Sequence, residues 1–131
     1  GHVAQVLALV AQCPAAAYYT KWVIAVDDDV DPTDVNQVFW ALATRCDPAQ
    51  DLDILRGTWS TGLDPSKFPA EERPYGSKVL INACKPHRHL KSFPQRTLLR
   101  RSTYDKVAAR WKALGFEEPL PQLHDFHPDT E

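Results

Sequence analysis

Lys21-Trp22-Val23-Ile24-Ala25-Val26-Asp27-Asp28-Asp29-Val30-Asp31-Pro32-Thr33-Asp34 decides the fold. Its first half holds a short apolar run rich in strand formers, Trp22 to Val26, which reads as a buried strand. Its second half stops that run with acids and then sets up a helix start. Asp31 reads as the N-cap, Pro32 as the first helical residue and Asp34 as an acid near the positive end of the helix dipole. A strand that turns straight into a helix is the repeating unit of an α/β sheet.

On the C-terminal side, Val35, Val38, Phe39 and Leu42 form the apolar stripe of that helix, and Asp47-Pro48 closes it. On the N-terminal side, Val3, Val6, Leu7 and Val10 give an amphipathic helix that Pro14 ends. Leu52 to Arg56 reads as a second strand. Thr58 to Tyr75 reads as loop, with Pro65, Pro69 and Pro74 and few apolar positions beyond Trp59, Leu63 and Phe68. Val79 to Ala83 is a third strand, entered through Gly76 and closed near Pro86. A last helix is expected from a cap at Ser102 or Thr103 to Leu114, with Tyr104, Val107, Ala108, Trp111 and Leu114 on one face and Gly115 as its stop. From Glu117 a tail with Pro119, Pro121 and Pro128 is expected to run over the surface or over a partner. There is no internal repeat and no low-complexity tract. The expectation is an α/β layered sandwich, a small and largely parallel sheet flanked by helices, over residues 1–116, with an extended tail over 117–131.

Composition sets the outer bounds. The 131 residues are 44% hydrophobic and 24% charged, which is globular rather than disordered. A net charge of −2 gives no electrostatic reason to expect nucleic acid or an anionic membrane. No apolar run approaches the roughly 20 residues of a membrane helix. Cys13, Cys46 and Cys84 are odd in number and widely spaced, which argues against a disulfide framework and for a reducing cytoplasm. The chain has no methionine and opens inside a helical pattern, so a fragment or a processed product is expected.

Three constellations carry chemistry. The acids Asp27 to Asp31 lie at the carboxyl end of a strand, where open α/β sheets place ligands. An EF-hand fails there, because its sixth and twelfth positions, Gly and Glu, are Pro32 and Val38 here. A phosphoacceptor receiver has a similar acidic pocket but needs a further aspartate after a later strand. The residue at that distance is Glu72, in the proline-rich loop. Helix capping and solvated turn acids are the plain alternative. The second constellation is Cys84, His87 and His89, C-x2-H-x-H after the third strand. Zinc wants two such pairs, and the other close pair, His124 and His127, sits on the tail. Hydrogen bonds or proton relays from His87 and His89 to a ligand, or surface histidines without a role, are the other readings. Third, Lys85, Arg88, Lys91, Arg96, Arg100 and Arg101 form a basic stretch, either a solvated face or an anchor for an anion or an acidic partner surface. There is no nucleophile elbow, no glycine-rich phosphate loop and no cysteine in an activating context.

Lys21 to Pro32, followed by Asn36-Gln37-Val38-Phe39-Trp40-Ala41-Leu42-Ala43-Thr44-Arg45-Cys46-Asp47-Pro48 and by Gly76-Ser77-Lys78-Val79-Leu80-Ile81-Asn82-Ala83-Cys84, resembles the C-terminal domain of UbiD-family decarboxylases. Tyr104-Asp105-Lys106-Val107-Ala108-Ala109-Arg110-Trp111 is similar to the branch acting on hydroxylated aromatic acids such as protocatechuate, gallate or vanillate. The likeness covers nearly the whole chain. It implies reversible, non-oxidative decarboxylation with prenylated FMN, a divalent cation (Mn or Mg) and often potassium. In the family the flavin, its metal and the catalytic Glu-Arg-Glu set belong to an upstream flavin-binding domain, and none of those motifs is present here. No catalytic residue, cofactor site or metal site therefore carries over, and this chain alone is expected to be inactive. The resemblance further implies a homo-oligomer in which this domain packs subunits and covers the active site. The loop after the third strand would face the aromatic acid substrate, with His87 or His89 on a phenolic hydroxyl and Leu90 against the ring. It recasts Asp27 to Asp31 as a structural turn and cap. A non-catalytic assembly module, or a separate small subunit of a multi-subunit decarboxylase, is the rival reading.

Overall fold

A computed structural model describes residues 2–67, 69, 75–123 and 126. Of the positions named above, Phe68, Glu72, Pro74, His124, His127 and Pro128 lie outside the described residues. The chain divides into two compact units, Gly1–Lys91 and Ser92–Glu131.

In the first unit, α1 (His2–Gln12) is followed by β1 (Trp22–Val26), α2 (Val35–Arg45), β2 (Leu52–Thr58) and β3 (Gly76–Ala83). The three strands form one sheet in the order β1-β3-β2. β1 runs parallel to β3, with Val23 opposite Leu80 and Val26 opposite Ala83. β2 runs antiparallel to β3, with Leu52 opposite Ile81 and Leu55 opposite Lys78. The largely parallel sheet expected from the sequence is therefore corrected to a mixed one. The cause is the stretch between β2 and β3, which holds no α-helix among its described residues, so β3 returns beside β2 without a helical crossover. β1 and β3 have α2 and β2 between them, and they pair parallel. Near its end β2 shifts register between Arg56 and Thr58, where Gly57 sits at φ 69°, a left-handed conformation that glycine adopts without strain.

Each sheet face has its own core. On one, Leu7 and Ala11 of α1 pack with Val23 and Leu80, joined by Val3, Ala25 and Leu55. On the other, Ala41 of α2 packs with Val30 and Ala83, joined by Ile24, Val26 and Val38. The helix–sheet–helix layering read from the sequence is present. Half of the apolar stripe expected on α2 faces inward. Val35 and Phe39 are 63% and 66% exposed, while Val38, Ala41, Leu42 and Arg45 face inward. Val38 and Leu42 belong to the expected stripe, while the small Ala41 and the charged Arg45 take the places expected of Val35 and Phe39. The helix also begins later than expected. Asp34, not Asp31, is its N-cap, and its Oδ1 accepts from the amides of Asn36 and Gln37 at 2.9 and 3.3 Å. Asp31 instead closes a local turn by accepting from Thr33 N and Oγ1, and Pro32 lies in that turn.

In the second unit, α3 (Arg101–Ala108) is shorter than the helix expected to reach Leu114. It starts after Arg100, with no side-chain cap at Ser102 or Thr103. Beyond it, Arg110 and Trp111 donate to carbonyls three residues back, and a 3-10 turn over Lys112–Leu114 ends at Gly115, φ 85°. The tail folds back on α3. Tyr104 Oη donates to Pro121 O at 2.7 Å, Trp111 Nε1 donates to Glu118 O at 2.6 Å, and Trp111 stacks on Phe116.

Moving the cap from Asp31 to Asp34 has a measurable consequence. Asp34→Ala should cost about 1 kcal/mol in urea unfolding, the usual effect of removing a helix cap, and Asp31→Ala should cost less. The reverse order would restore Asp31 as the cap.

Candidate functional site

Because β1 and β3 are adjacent and parallel, their carboxyl ends bring two segments together, Asp27 to Asp31 and Cys84 to Leu90. Arg45, in the last turn of α2, reaches the same place. Its side chain is 1% exposed. One guanidinium nitrogen, Nη1, donates to Asp27 Oδ2 at 2.7 Å and to Asp29 Oδ1 at 2.8 Å, and Nη2 donates to Asp29 Oδ2 at 2.8 Å. Its guanidinium lies 4.8 Å from the ring centre of Trp40, within cation–π range. Lys85 completes the cluster, donating from its backbone N to Asp27 Oδ2 at 2.8 Å and from Nζ to Asp29 Oδ2 at 2.7 Å.

The charges balance, two carboxylates against one guanidinium and one ammonium. Hydrogen bonds from Arg45 first, then from Lys85, hold the Asp29 carboxyl far below its ordinary range, against the opposing effect of burial. The same pairing, led by Asp29, raises the Arg45 pKa. Burial pushes the Cys84 thiol up and the charge of Asp27 pushes it further, while burial raises Cys46 as well. Neither is an activated thiolate. All three cysteines are free.

The donor set does not suit a metal. Asp27 and Asp29 already bind Arg45 and Lys85, and among the described residues no group of three or more His, Cys, Asp or Glu is placed to hold an ion. Cys84, His87 and His89 are no exception. His87–His89 is one 3-10 turn, closed by His89 N donating to Pro86 O at 2.8 Å. Both histidines and Leu90 are exposed at the end of β3. Among the described residues no helix is long and apolar enough to cross a membrane.

The sequence reading missed two residues. Arg45 stands one turn after Ala41, which puts a charge on the buried face of α2. Lys78, on β3, is 3% exposed, and its ammonium donates to Thr20 O. Burial lowers its pKa. Lys78 lines a cavity of about 520 Å³ with Ala11, Ala17, Leu55 and Trp59, which no residue of Cys84 to Leu90 lines.

Arg45→Met would leave two carboxylates beside each other at the strand end. It should destabilise the protein by about 3 kcal/mol, the low end for a broken buried pair because Asp29 stays partly exposed. The folded-state value of Asp29 lies below its ordinary 3.8, so its ionised form contributes stability above about pH 4, and that contribution is lost as the pH falls toward the folded-state value. In urea unfolding, the gap between wild type and Arg45→Met should therefore narrow from pH 6 to pH 3. A gap independent of pH would contradict the ion-pair account.

Residues 1–83 match the sequence model of the 3-octaprenyl-4-hydroxybenzoate carboxy-lyase C-terminal domain. A phenolic acid decarboxylase of Sedimentibacter hydroxybenzoicus is 40% identical over 73 residues, 56% of this chain and 15% of that protein. The vanillic acid decarboxylase of the same organism, in its closed form, superposes with a TM-score of 0.64 at 30% identity, over 88% of this chain and 24% of that one. The UbiD-class enzyme HmfF of Pelotomaculum thermopropionicum, in complex with FMN, gives a TM-score of 0.54 at 27% identity, over 64% of this chain and 18% of that one. The chain thus spans about a quarter or less of the length of these relatives. With more than half of its residues inside the family match, the chain belongs to the UbiD C-terminal domain family.

Proposed function

We propose that this chain is the C-terminal domain of a non-oxidative, reversible decarboxylase of hydroxylated aromatic acids, inactive alone and completed by an upstream flavin-binding domain. The observation that carries the reading is the 40% identity to a phenolic acid decarboxylase, with vanillic acid decarboxylase as a structural relative. The domain is proposed to span 1–116 with a tail over 117–131, in a cytoplasmic homo-oligomer. It helps to pack subunits and covers the active site. That vanillic acid decarboxylase has been seen in closed and open forms supports the covering role. The absence of any buried residue on α3, with Val107 exposed on its apolar side, supports the packing role.

Prenylated FMN, with its divalent cation and potassium, would be held upstream and supply the decarboxylation chemistry. The residues of this chain bind and orient. His87 or His89 donates a hydrogen bond to a phenolic hydroxyl, and Leu90 presses on the ring face. The exposed turn at the end of β3 leaves all three side chains accessible for this. A site that hydrogen-bonds a hydroxyl discriminates against rings that lack it.

The test is the full-length polypeptide carrying His87→Ala and His89→Ala together. Its kcat/KM on 3,4-dihydroxybenzoate should fall by about tenfold more than on a non-hydroxylated acid, the scale of one lost hydrogen bond. Equal losses on both substrates, or none, would refute the role of the histidines.

A further inference from the structure

We propose that Arg45, Asp27 and Asp29 act as a positioning clamp for the substrate-facing loop, holding Lys85 so that His87 and His89 are presented in one place. The proposal rests on the reading of that loop given above and deepens it.

The loop is fixed at its root by side chains rather than by the sheet. Cys84 N donates to Asn82 Oδ1 at 3.1 Å, and the Asn82 amide in turn donates to Asp51 Oδ1 at 3.0 Å. The next amide, Lys85 N, donates to Asp27 Oδ2 at 2.8 Å, while the Lys85 ammonium is held by Asp29 at 2.7 Å. Two consecutive amides and one side chain are thus pinned, the first to Asn82 on β3 and the other two to the acids that follow β1. Pro86 follows with φ −59°, the value its ring imposes, so little rotational freedom separates the pinned Lys85 from His87. The hydrogen bond from His89 N to Pro86 O then sets His89 relative to the same anchor.

The clamp works only if both carboxylates stay aimed at Lys85, and Arg45 aims them. Its planar fork meets Asp29 with two parallel hydrogen bonds and shares one nitrogen with Asp27, a geometry that an ammonium point charge cannot reproduce. The buried Arg45 thus acts at a distance, through the carboxylates, on where the imidazoles stand.

The experiment uses the full-length enzyme and four variants: Lys85→Met, Lys85→Arg, Arg45→Lys and the double histidine variant. Kinetics on 3,4-dihydroxybenzoate are read beside deuterium uptake by the amides of Cys84 to Leu90, with α1 as internal reference. Lys85→Met and Arg45→Lys should raise KM by about tenfold with kcat changed less than about twofold, and should speed exchange in the loop but not in α1. Lys85→Arg, which keeps a cation for Asp29, should restore both. A purely structural role would lower the melting temperature while leaving KM and loop exchange as in wild type, and that result overturns the proposal. If the double histidine variant raises KM but the clamp variants do not, the clamp alone fails. If the double histidine variant leaves KM unchanged, the substrate-facing reading of the loop fails, and the clamp's purpose with it.

Discussion

The bidentate grip of Arg45 on Asp29, shared with Asp27, is the interaction on which the ordered end of the sheet depends. It links the end of β1, the end of α2 and, through Lys85, the end of β3. Asp27 and Asp29, two carboxylates side by side at a strand end, would otherwise repel each other and open the junction. Paired in this way they become the fastening between layers whose apolar contacts, around Ala41, Val30 and Ala83, are small. Small side chains let α2 lie close to the sheet, and a long charged one at its end then finds its partners.

The sequence made the strong local signals readable. β1 occupies the stretch marked by its apolar run, and α1 ends two residues before Pro14. Single-residue rules failed where two candidates competed. Asp31-Pro32 has the form of a helix start, yet Thr33 offers Asp31 a closer hydroxyl and amide, and the cap passes to Asp34. The sheet is mixed because helices and strands do not alternate throughout: between β2 and β3 the described residues hold no α-helix, and the two strands pair antiparallel. α3 is shorter than expected because beyond Ala108 the amides of Arg110 and Trp111 donate to carbonyls three residues back, and the tightened path ends at Gly115.

The candidate site was half legible. His87, His89 and Leu90 stand after a strand that the sequence marks, and the family likeness gives that loop its meaning. The acids before them were visible as a run but not as a balanced cluster, because their partners lie 16 and 56 residues away from Asp29. Arg45 was hidden by its charge, since a buried arginine looks like a polar face until its carboxylates are located. Lys78 stands just before the apolar run Val79 to Ala83, and only the longer β3, which starts at Gly76, brings it into the buried sheet.

The central claim is that the polypeptide bearing this domain decarboxylates a hydroxylated aromatic acid. The direct measurement is release of labelled carbon dioxide from carboxyl-labelled 3,4-dihydroxybenzoate, 4-hydroxy-3-methoxybenzoate and 3,4,5-trihydroxybenzoate by the full-length protein loaded with prenylated FMN. The account predicts release from at least one of them, with label exchanging back from carbon dioxide into that acid. Flavin-loaded protein that releases nothing from any of the three would contradict it.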